Sequence, residues 1–297
     1  IEVSRGSHFL RQHDSIAATV SRPTGEGGSQ RRTMEPLVHP LSVVIPAYNE
    51  HDRLPPSLVR IGEYLATKPG WLPADLVVVD DGSTDRTAEA TAGTALPKEI
   101  RLTVLSHESN RGKGAAVRTG FAGASGQQIL LSDADLATPF EELETLADSG
   151  PETSVRIGSR AVDRDLIFVR QPRYRDFMGR SFNLLVQTLL LPGIRDTQCG
   201  FKLFPGALGR ALAGAQTIDG FAFDVELMFL ARRWGTPVLE IPVRWHHVEA
   251  SRVQPVRHSA EMLRDLLGLW LRAVRGRIPP APVEHDSGGH CEGEHPR

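Results

Sequence analysis

The sequence predicts an α/β fold in which a mostly parallel sheet is covered by helices on both faces. Between residues 41 and 131, four short apolar runs alternate with three helical patterns. Each run is apolar at consecutive positions, which is the pattern of a strand buried on both faces. Strands that alternate with helices form parallel sheets, because each crossover needs a connecting element. The first half is therefore predicted to be a nucleotide-binding α/β unit.

The elements of this half follow one another in a regular order. Strands are predicted at residues 41–46, 76–79, 102–105 and 128–131. Helices are predicted at residues 54–67, 84–94 and 115–124, and the second of these follows a Ser/Thr cap.

The second half is less regular, but it still alternates between short apolar runs and helical patterns. Strands are predicted at 155–158, 201–204 and 237–243, and helices at 173–191, 224–234 and 259–275. Residues 1–39 are polar, Gly/Ser-rich and aperiodic, and the end of the chain is rich in Pro, Gly and His. We therefore expect a disordered leader at 1–39, one domain at 40–278 and a disordered tail at 279–297.

Composition sets limits on location and partners. The chain has 297 residues and a net charge of -2, which excludes no class of partner. Its two cysteines, far apart in the sequence, fit a reducing, cytoplasmic setting. No run of 18 or more uncharged apolar residues occurs, so we predict no membrane span, and any contact with the inner face of the membrane would be peripheral. No nucleic-acid partner is predicted.

Acidic motifs follow three of the predicted strands. They are Pro-Ala-Tyr-Asn-Glu at 46–50, Asp-Asp-Gly-Ser at 80–83 and Asp-Ala-Asp at 133–135. Parallel strands end at the same edge, so these carboxylates are expected to meet there. Asp133 and Asp135 face the same side of an extended segment and suit Mg²⁺ or Mn²⁺, which would neutralise a leaving diphosphate. The alternative for each motif alone is an ordinary solvated turn.

Two of these features leave alternatives open. Asp80 and Asp81 could accept hydrogen bonds from a sugar or a base rather than bind a metal. The segment Asn-Arg-Gly-Lys-Gly at 110–114 opens a helix and could cradle a phosphate, or it could simply form a tight turn that packs helix on sheet.

Taken together, these motifs resemble glycosyltransferase family two, whose members have the Rossmann-like GT-A fold. The resemblance rests on residues 43–50, 78–85, 110–114 and 133–135. The later stretches 195–204 and 222–227 are similar to the polyprenyl-phosphate branch of that family, in particular to dolichyl-phosphate β-glucosyltransferases. The match extends over about residues 41–276 and includes a C-terminal amphipathic helix.

The resemblance implies an inverting transfer of a hexose onto a dolichyl or polyprenyl phosphate. UDP-glucose is the implied donor, with GDP-mannose as an alternative. Implied donor-binding residues are Pro46, Tyr48, Glu50, Val79, Asp81, Lys113, Asp133 and Ala134. Asp135 is the implied direct metal ligand, with Asp133 beside it. Implied acceptor-phosphate residues are Ser159, Arg160 and Arg252, the last standing where the family usually has Lys.

A lipid phosphate would relax one chemical requirement. A phosphate monoester is already an anion at neutral pH, so a general base is not essential. Asp196 and Asp224 are the best candidates for a base or for positioning, and together with Asp133 and Asp135 they form the predicted catalytic set; either could instead be structural. Residues 156–180 hold seven arginines and three aspartates, a net charge of +4 that would suit acceptor phosphate, lipid headgroups or a solvated face.

Other interpretations remain open at this point. The helix at 259–275 could lie at a membrane interface or pack against the sheet. The acceptor could be a soluble hydroxyl compound, and the chain could bind nucleotide sugars without catalysis.

Overall fold

A seven-stranded sheet organises the protein in the computed structural model, which describes residues 40–163, 173–246 and 255–282. The side chains of 173–180 and 255–258, the predicted leader, residues 283–297 of the predicted tail, and Arg252 lie outside this description. The strands are β1 (Leu41–Ala47), β2 (Ala74–Asp80), β3 (Ile100–Ser106), β4 (Gln128–Leu131), β5 (Val155–Ser159), β6 (Lys202–Pro205) and β7 (Val238–Pro242).

The sheet order is β3-β2-β1-β4-β6-β5-β7. Strands β1 to β4 are mutually parallel where they pair, β6 is antiparallel to both of its neighbours, and β7 is parallel to β5. Every residue of β2 and β4 is buried, which confirms the predicted two-sided strands. The edge strand β3 buries only Ile100, because nothing pairs with its outer side in the described chain.

Helices cover both faces of the sheet. They are α1 (Leu54–Ala66), α2 (Thr87–Ala92), α3 (Lys113–Gly123), α4 (Glu142–Asp148), α5 (Arg173–Leu189), α6 (Gly206–Ala215), α7 (Phe223–Arg233) and α8 (Pro255–Val274). The six predicted helices are confirmed in place, with ends that differ by a few residues. The sequence missed α4, which is short, and α6, whose three glycines lower helix propensity. In the described chain, no helix is both long and apolar enough to cross a bilayer.

Alternate residues of the central strands enter two different cores. Val44 of β1 belongs to the core that also contains residues of α3, α6 and α7, whereas Val43 and Ile45 belong to the core that contains residues of α1 and α4. This alternation is the ordinary consequence of strand geometry. The two cores fix the sheet between its helical layers, and the chain segments at the carboxyl ends of β1, β2 and β4 are thereby held side by side.

Candidate functional site

The three acidic motifs lie at one edge of the sheet. Strand β1 stands between β2 and β4, so the segments that follow these three strands are neighbours. The amide of Asp81 donates to the carbonyl of Ala47 at 2.8 Å, and the amide of Ser132 donates to the carbonyl of Val44 at 3.0 Å. The parallel topology therefore brings together carboxylates that are separated by up to 85 positions in the sequence.

Asp133 is paired with the first residue of α3. Lys113 Nζ lies 2.6 Å from Asp133 Oδ1, and the two side chains are about 25 % and 34 % exposed. Burial raises the pKa of Asp133, but Lys113, Lys202 and Arg160 outweigh burial and lower it below its usual value. The pair is ionised and still accessible to a ligand.

Asp135 lies in a tight turn two residues further on. Its Oδ1 accepts a hydrogen bond from the amide of Ala137 at 3.0 Å, and the intervening Leu136 has a φ of 48°. Among the described residues, no donor reaches its Oδ2. Burial, followed by the negative charge of Asp133, raises the pKa of Asp135, while Lys113 and Arg53 act in the opposite direction. A cation at this point would relieve the repulsion between the two carboxylates.

The main chain of Gly200 supports Asp133 from the other side. A Cβ atom at Gly200 would lie 1.9 Å from Asp133 Oδ2 and 2.3 Å from its Cγ. Only a residue without a side chain allows this approach. The segment before β6 is therefore part of the same site as the segment after β4.

Asp196 is the partner of Arg160. Two guanidinium nitrogens of Arg160 donate to the two carboxylate oxygens at 2.7 and 2.9 Å, and the amides of Arg160 and Gln198 also donate to them. Burial opposes the charge of Asp196, yet Arg160 lowers its pKa to about 2. A carboxylate held in this way is a weak base, so the geometry favours a structural role for Asp196 over the base role.

We expect the Arg160–Asp196 pair to make stability depend on acid pH. The folded pKa of Asp196 is about 2 against an ordinary value of 3.8, so its contribution is present above pH 4 and is lost as the pH falls toward 2. The difference corresponds to about 2 kcal/mol. Urea unfolding should show Asp196→Asn less stable than wild type by about that amount at pH 7. A deficit that stays constant down to pH 2 would contradict this assignment.

Asp224, in the first turn of α7, forms a buried ion pair. Lys202 Nζ, which is fully buried, lies 2.7 Å from Asp224 Oδ1 and also donates to the carbonyl of Cys199. Burial raises the pKa of Asp224, although Lys202 and Lys113 act against this change. Asp224 is therefore tied to β6, and the geometry again favours the structural alternative that the sequence left open.

These groups form one charge cluster. Burial lowers the pKa of Lys113, but the negative charges of Asp133, Asp224 and Asp135 outweigh burial and raise it. The positive charges of Lys202 and Arg160 in turn lower the pKa of Asp133. The cluster contains three cations and four carboxylates, Lys113, Arg160, Lys202, Asp133, Asp135, Asp196 and Asp224, and so carries a net charge of -1 when all are ionised.

Asp81 organises the loop that leads into α3. Its carboxylate accepts hydrogen bonds from His107 Nδ1 at 2.7 Å and from the amides of Arg111 and Gly112 at 2.9 and 2.8 Å. Asp80 is engaged locally by Ser83. Because Asp81 already occupies these two amides, the 110–114 segment does not present them as a phosphate cradle, and the structure favours the tight-turn interpretation. In the described chain, Asp81 does not contact the charge cluster itself, but it holds the loop that precedes Lys113.

The glycines of that loop confirm how tightly it packs. Gly112 has a φ of 108°, and a Cβ atom there would lie 2.4 Å from the carbonyl oxygen of Asp219. A Cβ atom at Gly114 would lie 2.4 Å from the carbonyl oxygen of Ile218. The start of α3 is therefore pressed against the 217–220 segment.

The other residues predicted to bind the donor differ in their exposure to solvent. Tyr48 is 37 % exposed and Pro46 is half-buried. Glu50 is held by both Nε and a terminal nitrogen of Arg53 at 2.7 Å. The side chains of Val79 and Ala134 are buried, so only their main chains can meet a ligand.

Two predicted acceptor features need correction. Ser159 is buried and its hydroxyl donates to Glu240 Oε1 at 2.7 Å, so its side chain is not free to bind an acceptor. Arg156, counted in the basic stretch, is buried and donates to Gln128 Oε1 and to the carbonyl of Ala147. Gln128 begins β4, so Arg156 lies at the opposite edge of the sheet. Arg164, Arg170 and Arg252 fall outside the described residues.

The donor set fits a divalent cation that shares its ligands with a phosphate. No group of three or more His, Cys, Asp or Glu residues within the described ranges could hold a metal alone. Asp133 and Asp135 supply two carboxylates, and Mg²⁺ typically takes one or two from the protein and completes its shell with phosphate oxygens and water.

Cavity size alone points to a different place. A cavity of about 950 Å³ lies between α8 and the 217–221 segment, whereas the pocket beside Asp133 and Gly200 measures only about 10 Å³. The acidic edge is nevertheless the stronger candidate for chemistry, because the charge cluster and the unbonded oxygen of Asp135 are located there.

Several residues of the site were not predicted from the sequence. Lys202 could have been recognised from the sequence, since a lysine at the start of an apolar strand is unusual enough to suggest a buried charge. His107 follows β3, as the acidic motifs follow their strands, and its Nε2 also contacts Thr119 Oγ1 at 2.9 Å. Arg53 and Glu240 gave no local signal, because their roles depend on long-range contacts.

Comparison with known proteins agrees with this architecture. The model of glycosyl transferase family 2 matches residues 42–208. A dolichyl-phosphate beta-glucosyltransferase of Drosophila melanogaster is 38 % identical over 256 residues, covering 82 % of this chain and 78 % of that protein. A human protein of the same name is 36 % identical over 247 residues, covering 80 % and 76 %.

Solved structures share the fold at lower identity. Glucosyl-3-phosphoglycerate synthase of Mycobacterium tuberculosis, in complex with Mn²⁺, UDP-glucose and phosphoglyceric acid, gives a TM-score of 0.55 at 22 % identity and covers 82 % of this chain and 81 % of that one. Mannosyl-3-phosphoglycerate synthase of Rubrobacter xylanophilus gives a TM-score of 0.58 at 18 % identity, covering 83 % and 78 %. These likenesses show the fold.

Proposed function

Because the chain belongs to glycosyl transferase family 2, we propose that it moves glucose from UDP-glucose onto a dolichyl or polyprenyl phosphate. The observation that carries this proposal is its similarity to dolichyl-phosphate beta-glucosyltransferases, at 38 % identity over 82 % of the chain. The family match at 42–208 contains Asp133, Asp135 and Lys113. The charge cluster at the sheet edge is the site that we assign to this reaction.

We assign the donor to the carboxyl ends of β1, β2 and β4. The exposed Tyr48 and the main chains of Pro46, Val79 and Ala134 would surround the nucleoside, with Glu50 held in place by Arg53. Asp81 would not touch the donor and would instead hold in place the loop that leads to Lys113. Lys113 and Asp133 are half-exposed and lie where the diphosphate would pass.

The charge of the cluster supports a metal-assisted donor site. A net charge of -1 would repel a diphosphate, and one divalent cation would change that charge to +1. Asp135 would hold the cation through the oxygen that no described donor reaches, with Asp133 beside it. Such a cation would stabilise the negative charge of the departing UDP.

The occupied carboxylates support an acceptor that needs no general base. Arg160 lowers the pKa of Asp196 and so makes it a weak base, and Asp224 is held in a buried ion pair with Lys202. A lipid phosphate is already ionised at neutral pH and can attack directly. Arg160 would face the acceptor phosphate, with Asp196 as its positioning residue, and we keep Arg252 as a proposed second contact.

The experiment combines purified full-length chain, Mg²⁺ or Mn²⁺, and a polyprenyl phosphate with either UDP-glucose or GDP-mannose. We expect a β-linked glucosyl lipid from UDP-glucose, and UDP release that depends on the lipid phosphate. A parallel reaction with 3-phosphoglycerate tests a soluble acceptor. Product with 3-phosphoglycerate and none with the lipid would contradict the proposal, and donor binding without UDP release for any acceptor would favour a binding protein.

Gly200→Ala is expected to reduce kcat/KM for this transfer by about 100-fold, because a displacement of about 1 Å at a reacting site costs roughly that much. The added methyl would overlap the Asp133 carboxylate at 1.9 Å and push it away from Lys113. The rate of UDP release under single-turnover conditions measures the effect. Gly214→Ala in α6 is the matched control, since a Cβ atom there meets nothing within 4 Å. Equal rates for the two variants would show that Asp133 does not depend on Gly200.

A further inference from the structure

Helix α8 carries a buried apolar face and, beyond the partly buried Trp270, an exposed apolar row. Met262, Leu266 and Leu269 are buried and belong to the main core. A second row, which we call the α8 ridge, is exposed to solvent: Leu263, Leu267, Leu271 and Val274 are 42, 42, 41 and 67 % exposed. A helix that only packs on a sheet carries polar residues at such positions. The packing alternative therefore accounts for the first face and leaves the second unexplained.

The α8 ridge is continuous. Its members are spaced by four, four and three residues, which places them within roughly 80° of the helix circumference and along about 16 Å of its length. Arg264 and Arg275 border one side of the ridge, at roughly 20–40° from Leu271 around the helix axis. The side chain of Arg264 is 79 % exposed. An apolar stripe bordered by arginines is the arrangement of a helix that lies at a lipid–water interface.

The arginines continue into the neighbouring groove. The cavity of about 950 Å³ between α8 and the 217–221 segment is lined by Leu271 of the ridge, by five arginines and by three acidic residues: Arg111, Arg264, Arg272, Arg275, Arg277, Asp219, Glu261 and Asp265. Its charged lining is thus net positive by two. The ridge and the groove form one surface, apolar on one side and cationic on the other.

We propose that the α8 ridge and the arginine-lined groove dock onto the surface of an anionic phospholipid bilayer. The leucines would enter the boundary between headgroups and acyl chains, and the arginines would bind headgroup phosphates. Charge complementarity favours this occupant, because the groove is net positive, whereas an antiparallel pair of copies packed ridge against ridge would bring the bordering arginines of both copies together.

This surface is linked to the candidate active site by a chain of contacts. Arg272 Nη2 donates a hydrogen bond to Glu226 Oε1 at 3.0 Å, and Glu226 Oε2 accepts hydrogen bonds from the amides of Thr217 and Ile218 at 2.9 and 2.7 Å. That segment packs against Gly112 and Gly114 at the start of α3, next to Lys113. A bilayer on α8 would therefore lie beside the site where a lipid acceptor must arrive.

The test measures binding of the full-length chain to vesicles of phosphatidylcholine alone and to vesicles that also contain phosphatidylglycerol. We expect binding to the anionic vesicles that weakens as salt is raised. Each basic residue near an anionic surface contributes about fivefold, so Arg264→Gln with Arg275→Gln should weaken binding by about 25-fold. Glutamine at Leu263, Leu267 and Leu271 together should weaken it by roughly 30-fold, because these half-exposed leucines lose their transfer into lipid.

Helix α1 offers matched controls, because Val59 and Arg60 are exposed there on an unrelated surface. Val59→Gln and Arg60→Gln should bind vesicles as wild type does. All variants should keep the wild-type thermal midpoint and the wild-type rate with a short, detergent-dissolved polyprenyl phosphate. That rate separates docking from the proposed function, since it fails only if the catalytic assignment fails.

Three outcomes would overturn the proposal. The first is equal binding by the α8 and α1 variants, which would place the contact elsewhere in the chain. The second is a dimer in sedimentation velocity that the leucine substitutions abolish, which would make the ridge a contact between copies. The third is release of the protein from anionic vesicles by inorganic phosphate at unchanged ionic strength, which would make the groove a site for free phosphate.

Discussion

Asp135→Ala is expected to reduce glucosyl transfer at least about 1,000-fold in kcat/KM while the protein remains folded. Loss of one preorganised electrostatic contact to developing charge typically costs 100- to 1,000-fold, and loss of the ligand that holds a metal should be at the upper end. One carboxylate oxygen of Asp135 meets no described donor, and Asp135 stands beside Asp133 at the edge of the sheet. Steady-state UDP release with saturating lipid phosphate measures the loss.

The Asp135→Ala variant should lose activity without losing thermal stability. The raised pKa of Asp135 means that burial and Asp133 already disfavour its charged form, so its removal relieves repulsion. We therefore expect a thermal midpoint equal to or above that of wild type. Asp148→Ala, at an exposed aspartate that ends α4, is the control and should leave both properties unchanged. Full turnover by Asp135→Ala would remove Asp135 from the mechanism.

Lys202→Met is expected to cost about 3–5 kcal/mol of unfolding free energy, the usual effect of removing one partner of a buried ion pair. Lys202 is fully buried and holds Asp224 at 2.7 Å, together with the carbonyl of Cys199. Without Lys202 the pKa of Asp224, which burial already raises, would rise further. Urea unfolding at pH 7 measures the cost, which should become smaller in acid as Asp224 takes up a proton.

A second substitution separates charge from packing. Adding Asp224→Asn to Lys202→Met removes the unpaired charge and should restore part of the lost stability. If the single variant lost less than about 1 kcal/mol, the value of an ordinary neutral hydrogen bond, the buried pair would not be a main support of the site.

The parallel half of the fold could be predicted because its signals are local. The apolar runs of β1, β2 and β4 fixed the strands, and the need for crossovers fixed their direction. Strand β6 was expected one residue early, and nothing local showed that it runs antiparallel to β4. That direction depends on how the chain returns after α5, which is a tertiary property.

The site could be predicted only in part for the same reason. Asp133 and Asp135 follow a recognisable strand, so their position at the edge follows from topology. Whether Asp196 acts as a base or as a partner of Arg160 depends on a contact across 36 positions. The packing of Gly200 against Asp133 depends on a contact across 67 positions, and no spacing rule predicts it.

A crystal structure with UDP-glucose and Mn²⁺ would show whether the acidic edge of the sheet binds the donor. We expect an anomalous manganese peak within about 2.2 Å of a carboxylate oxygen of Asp135, the usual range for a hard divalent cation and oxygen. The diphosphate should lie between that ion and Lys113. A nucleotide bound in the arginine-lined groove beside α8, or a metal far from the Asp133–Asp135 segment, would show that this edge is not the donor site.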